Sequence, residues 1–123
     1  AQEQTVVVRE DPRLDVPRAE REAWTEMLFA IGALYVEAGN LQYAVEQQMG
    51  GAGEDNHTEA ADEATREVHA QLDELTGRIA RLYGDVSDWT GAPTADQRSR
   101  FDYYTEMTET LGERADQVVE ASE

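Results

Sequence analysis

The side chains with which this chain could do chemistry are two histidines, His57 and His69, and an abundance of carboxylates: 27 Asp and Glu and no cysteine. Thiol catalysis and disulfides are therefore excluded. The histidines stand twelve positions apart, too far to share one helical face as an i,i+4 metal pair. A di-iron bundle needs Glu three residues before an inward-facing His. Arg66 holds that place before His69, and before His57 it is held by Glu54, in a glycine-rich loop. Both histidines are thus expected at a solvated or bundle-edge position, with no metal ligand assigned.

Acid/base hydrolysis of glycosides needs two carboxylates flanking a cleft, and no paired acids fall on an apolar stripe. Asp85-Val-Ser-Asp88-Trp-Thr-Gly91 has some of the spacing of a calcium loop. It lacks the full alternation and the closing Glu, so a turn and capping role is expected. No phosphate loop, dinucleotide glycine fingerprint or serine elbow occurs. The assignment is accordingly no catalytic residue, no cofactor and no metal.

The elements that would position any site are helices. From Pro17, Trp24, Leu28, Ile31, Tyr35, Ala38, Gln42, Val45 and Met49 recur in alternating steps of four and three, flanked by Met27, Leu34 and Leu41. This predicts a helix over about 17–49, roughly 50 Å long. Pro17 suits its first turn, and Gly50-Gly51-Ala52-Gly53 stops it. A second helix is predicted over about 57–83, with Asn56 and Glu59 as a capping pair. Its stripe is Ala61, Ala64, Val68, Leu72, Leu75, Ile79 and Leu82, with Gly84 as its C-terminal cap. A third is predicted over about 95–119, opened by the capping box Thr94-Ala-Asp-Gln97. Its stripe is Phe101, Tyr104, Thr108, Leu111, Ala115 and Val118. Residues 85–93 read as a loop whose Val86 and Trp89 fold back over the bundle end. Short connections imply an up-down-up bundle of three long antiparallel helices.

Ahead of the bundle, Thr5-Val-Val-Val-Arg-Glu10 is a short β-branched run, broken by Asp11-Pro12-Arg13. One strand is not stable alone, so it reads as an orphan of a preceding β domain. The division expected is 1–13 for that strand and turn and 14–123 for the bundle. A first residue Ala1 in place of Met reads as the start of a processed or excised piece.

The first helix carries an oddity. Phe29, Val36 and Tyr43 repeat every seven residues, roughly opposite the main stripe. Either that helix is central and buried on both sides, or the second stripe is an interaction face for another copy or for the rest of a parent protein.

Composition limits the partners. A net charge of −17 with 40% hydrophobic residues is compatible with one folded domain. It argues against nucleic acid, which needs clustered Lys or Arg, and against an anionic membrane surface. No apolar run is long enough for membrane insertion. All ten basic residues are Arg. An acidic, lysine-free chain suggests a halophilic or GC-rich source, the alternative being a merely acidic protein. Because salt screens self-repulsion, a halophilic chain should melt at higher temperature as NaCl is raised to molar levels. A flat melting temperature across that range would remove the reading.

Val7-Val-Arg-Glu-Asp-Pro-Arg-Leu-Asp-Val16 and the Leu82–Arg98 segment, with its Leu-Tyr end, loop and Ala-Pro-Thr-Ala-Asp-Gln-Arg run, carry a family resemblance. They are similar to the region after the β-propeller in bacterial sortilin-like, BNR-repeat proteins, often labelled glycosyl hydrolases. The resemblance implies that a last sandwich strand ends in a Asp-Pro-Arg turn and a helical C-terminal region follows. It implies an exported protein whose ligand-binding or carbohydrate-processing activity belongs to the propeller, so no catalytic residue is carried over. The function expected is thus a non-catalytic structural or interaction domain. The other expectation is an independent dimeric module binding a partner through Phe29, Val36 and Tyr43.

Overall fold

A computed structural model describes residues 17–50, 59–89 and 91–121. These form three α-helices, α1 (Arg18–Gly50), α2 (Glu59–Ser87) and α3 (Ala95–Ala121), each packed against the other two. No strand occurs among the described residues. The expected strand at 5–10, the turn at 11–13, the glycine loop at 51–53, the Asn56 cap and His57 all lie outside them.

The core is a single apolar seam. α1 supplies Met27, Ile31, Leu34, Ala38 and Val45; α2 supplies Val68, Leu72, Leu75, Ile79, Leu82 and Val86; α3 supplies Tyr104, Leu111 and Ala115. Trp24, Leu28, Leu41, Phe101, Met107 and Val118 close its edges. α3 adds a polar member, Thr108, which is buried but returns its hydroxyl proton to the Tyr104 carbonyl at 2.7 Å. That bond satisfies the group where water is absent. α1 and α3 meet where Leu41 lies against Gly112, whose added Cβ would stand 3.5 Å from Leu41 Cδ1, an ordinary packing distance.

Polar contacts tie the helices at matched heights. Trp24 Nε1, early in α1, donates to the carbonyl of Val86, late in α2, at 2.6 Å. Glu46, late in α1, meets His69, early in α2, at 2.9 Å. Arg100 bonds Asp85 at 3.1 Å, and Arg114 bonds Gln71 at 2.6 Å.

The ends follow local chemistry. The Pro17 carbonyl accepts the amides of Glu20 and Arg21, starting α1. α3 opens on a reciprocal box: Thr94 N donates to Gln97 Oε1, and Gln97 N to Thr94 Oγ1, both at 3.0 Å. Each bond takes up an amide that the first turn leaves orphaned. Between α2 and α3, Gly91 takes φ +134°, which disfavours any side chain. Trp89 Nε1 donates to Ala92 O across that turn at 2.8 Å.

Two sequence expectations are corrected. Gly84 does not cap α2, which runs on to Ser87. Gly84 has no positive φ, and the extra turn buries Val86 completely, a gain in apolar burial that a stop at Gly84 would forfeit. Val86 is therefore helical and not part of a loop. The inner stripe of α1 is also rotated from the one expected. Tyr35 and Met49 are exposed at its edge, while Met27 and Leu34, read as flanking, are core.

Candidate interaction face

The outer side of α1 departs most from an ordinary acidic helix surface. Phe29, Val36 and Tyr43 are 75%, 59% and 63% exposed. α2 and α3 pack on the opposite side, against Ile31, Ala38 and Val45, so among the described residues nothing buries the stripe. Exposed single apolar residues are common on proteins. Three aligned on successive pairs of helical turns form a contiguous strip.

The strip also lacks charge. From Met27 to Val45 the one side chain charged at neutral pH is Glu37, in a chain of net charge −17. Small residues separate the large ones: Gly32 and Ala33 lie between Phe29 and Val36, and Gly39 and Asn40 between Val36 and Tyr43. An added Cβ at Gly39 would meet nothing within 4 Å. A mid-helix glycine costs up to about 1 kcal/mol relative to alanine, and no contact among the described residues requires it.

At the edge of the strip, Gly32 and Tyr35 of α1 and Ala80 and Tyr83 of α2 line a shallow apolar hollow of about 330 Å³. Both tyrosines are exposed. Placing Tyr35 in the inner stripe hid this hollow. Its position between the two stripes was the available signal, and its neighbour Tyr83, on another helix, was not visible from spacing.

The titratable groups are dispersed. His69 Nε2 faces Glu46 Oε2 at the bundle edge, with the ring about a quarter exposed. No group of three or more Asp, Glu or His that could hold a metal ion occurs among the described residues. Arg78, Arg81 and Arg100 surround a hollow with Glu74 and Tyr104 between α2 and α3. The Glu74 carboxylate, through its hydrogen bond and charge, raises the Arg78 pKa. At Arg100, burial pulls downward and bonds to Tyr104 and Asp85 outweigh it, leaving the group raised. Both guanidiniums are firmly cationic, and both spend their charge on neighbouring acids. Such groups cannot act as acid/base catalysts near neutral pH.

The arrangement is suited to covering an apolar strip with another apolar surface. Comparison with known proteins finds no family, no curated protein and no solved structure that matches this chain.

Proposed function

We propose that this chain is a non-catalytic helical interaction domain whose docking surface is the outer face of α1. The observation that carries this reading is the exposed strip of Phe29, Val36 and Tyr43. A large apolar strip left open on a strongly charged chain favours association. An up-down-up, antiparallel order of the helices is part of the proposal. It is supported by the contacts that join early α1 to late α2 (Trp24 with Val86), late α1 to early α2 (Glu46 with His69), and late α2 to early α3 (Asp85 with Arg100).

The domain would sit behind the β-propeller of an exported, sortilin-like BNR-repeat parent. That placement rests on the resemblance of Val7–Val16 and Leu82–Arg98, to which the comparisons add nothing. In such a parent, any processing of carbohydrate would lie in the propeller, and this domain would supply contacts.

The test is the double variant Phe29→Ser with Tyr43→Ser, followed by thermal melting at a protein concentration low enough to keep the chain monomeric. Exposed surface substitutions move stability by roughly 0.5 kcal/mol or less. The melting temperature should therefore stay within a few degrees of the parent. A drop comparable to that of a core substitution would mean that the strip is buried within the chain, and would overturn the reading.

A further inference from the structure

We propose that the occupant of the α1 face is a second copy of this chain, docked through a two-fold axis that passes beside Val36. This inference rests on the reading of that face as an interaction surface and deepens it by naming the partner.

Each copy carries −17, so two copies repel, and they repel least where the facing surfaces are uncharged. The stretch from Met27 to Val45 holds Glu37 alone, and elsewhere acids crowd the helices. A basic partner would find its complement in those acids and would gain nothing from a neutral strip. An apolar strip of the same kind is what complements it, and this chain carries one.

The spacing along the strip is symmetric about Val36. A two-fold interface is isologous: when residue i of one copy meets residue j of the other, j meets i. For two α1 helices crossing in opposite directions at Val36, positions equidistant from Val36 face each other. Seven residues to either side stand Phe29 and Tyr43, both aromatic and both exposed. Three to either side stand Ala33 and Gly39, and four to either side Gly32 and Asn40. Large residues thus alternate with small ones in the same order from the axis outward. Across the pair the aromatic residues then face each other and the small residues face each other, while along each helix every large side chain is flanked by small ones. Gly39, which no contact among the described residues requires, acquires a reason: it clears the path of the second helix.

The strip from Phe29 to Tyr43 is about 21 Å long. One helix strip of that length falls short of the roughly 800 Å² per partner of a standard interface. The hollow framed by Gly32, Tyr35, Ala80 and Tyr83 extends it. It begins one helical turn from Phe29, where the pairing brings Tyr43 of the second copy. Association is accordingly modest at low ionic strength, and it strengthens with salt as the repulsion between two acidic copies is screened.

The test is sedimentation velocity over a wide concentration range in moderate and high salt, with three variants. The parent chain should pass from monomer to dimer, at lower concentration in high salt. Val36→Glu places two carboxylates against each other at the axis. It should lower the association constant by about 100-fold while keeping the helical circular dichroism and the melting temperature of the monomer. The register is read by crosslinking, since the chain has no cysteine of its own. With a short bifunctional thiol reagent, Val36→Cys should crosslink to itself. Phe29→Cys alone should not, but mixed with Tyr43→Cys it should. A parent chain that stays monomeric at every concentration and salt, a Val36→Glu variant that dimerises undiminished, or Phe29→Cys crosslinking to itself overturns the proposal. If the chain stays monomeric while Phe29→Ser with Tyr43→Ser leaves the melting temperature intact, the second copy is rejected and the interaction face stands. If that double variant melts well below the parent, both fall.

Discussion

The two sides of α1 repeat with the same period and meet opposite fates. Ile31, Ala38 and Val45 recur every seven residues and are fully buried; Phe29, Val36 and Tyr43 recur every seven residues and lie open. The series differ by an offset of two residues, which turns a side chain by roughly 200° about the helix axis. Composition does not separate them, for the outer set is at least as bulky and apolar as the inner. What separates them is that α2 and α3 both pack on one side. The hydrophobic pattern of a helix records which faces need cover. Whether the cover comes from the same chain is decided by how many other amphipathic helices pack on it, and the described residues offer two, both used on the inside.

The sharpest way to break the comparison is to truncate one member of each series. Ile31→Ala removes a fully buried side chain from the middle of the core. It should cost about 3 kcal/mol through lost burial and the cavity left behind, or roughly 15 °C of melting temperature for a domain of this size. Phe29→Ser with Tyr43→Ser removes more apolar area yet should barely move the same transition. Chemical denaturation of both proteins at low concentration checks the ratio. Similar losses for the two would mean that α1 is covered on both sides and that the faces are equivalent.

Much of the inner half of this contrast was legible in the residues. The alternating three-and-four spacing located all three helices, and the Thr94-to-Gln97 spacing located the start of α3 down to the hydrogen bonds that form it. The misplacements share a physical origin. Gly84 reads as a stop because glycine is the usual helix terminator. It is overridden because Val86 finds a buried seat, and its carbonyl a partner in Trp24, sixty-two residues earlier. Tyr35 reads as core because it keeps the step of four after Ile31, but the seam is centred on Ala38 and Val45, and Tyr35 falls at its rim. Glu46 opposite His69, and Tyr83 opposite Tyr35, join different helices, and no spacing within one helix encodes such pairs. The outer strip itself was plain from the sequence; its exposure was not, because exposure depends on where the neighbours sit.

The smallest expected effect tests the same contrast with the opposite sign. Gly39 and Gly77 are both interior to helices, on α1 and α2, and an added Cβ at either meets nothing within 4 Å. Alanine at each should stabilise the monomer by up to about 1 kcal/mol, since the backbone freedom lost on folding falls and no clash opposes it. Thermal melts of dilute protein should therefore rise by a few degrees for Gly39→Ala and Gly77→Ala alike. Association should part them. Gly77 stands on α2, outside the α1 strip and one turn from the hollow at its edge, and its substitution should weaken dimerisation less than that of Gly39. Gly39 lies between Val36 and Tyr43, where a methyl group would hold a second helix away. A chain that gains stability alone and loses it in company is what the outer face of α1 predicts. Two glycines that behave alike in both measurements would make Gly39 an ordinary, uncorrected weakness of the helix.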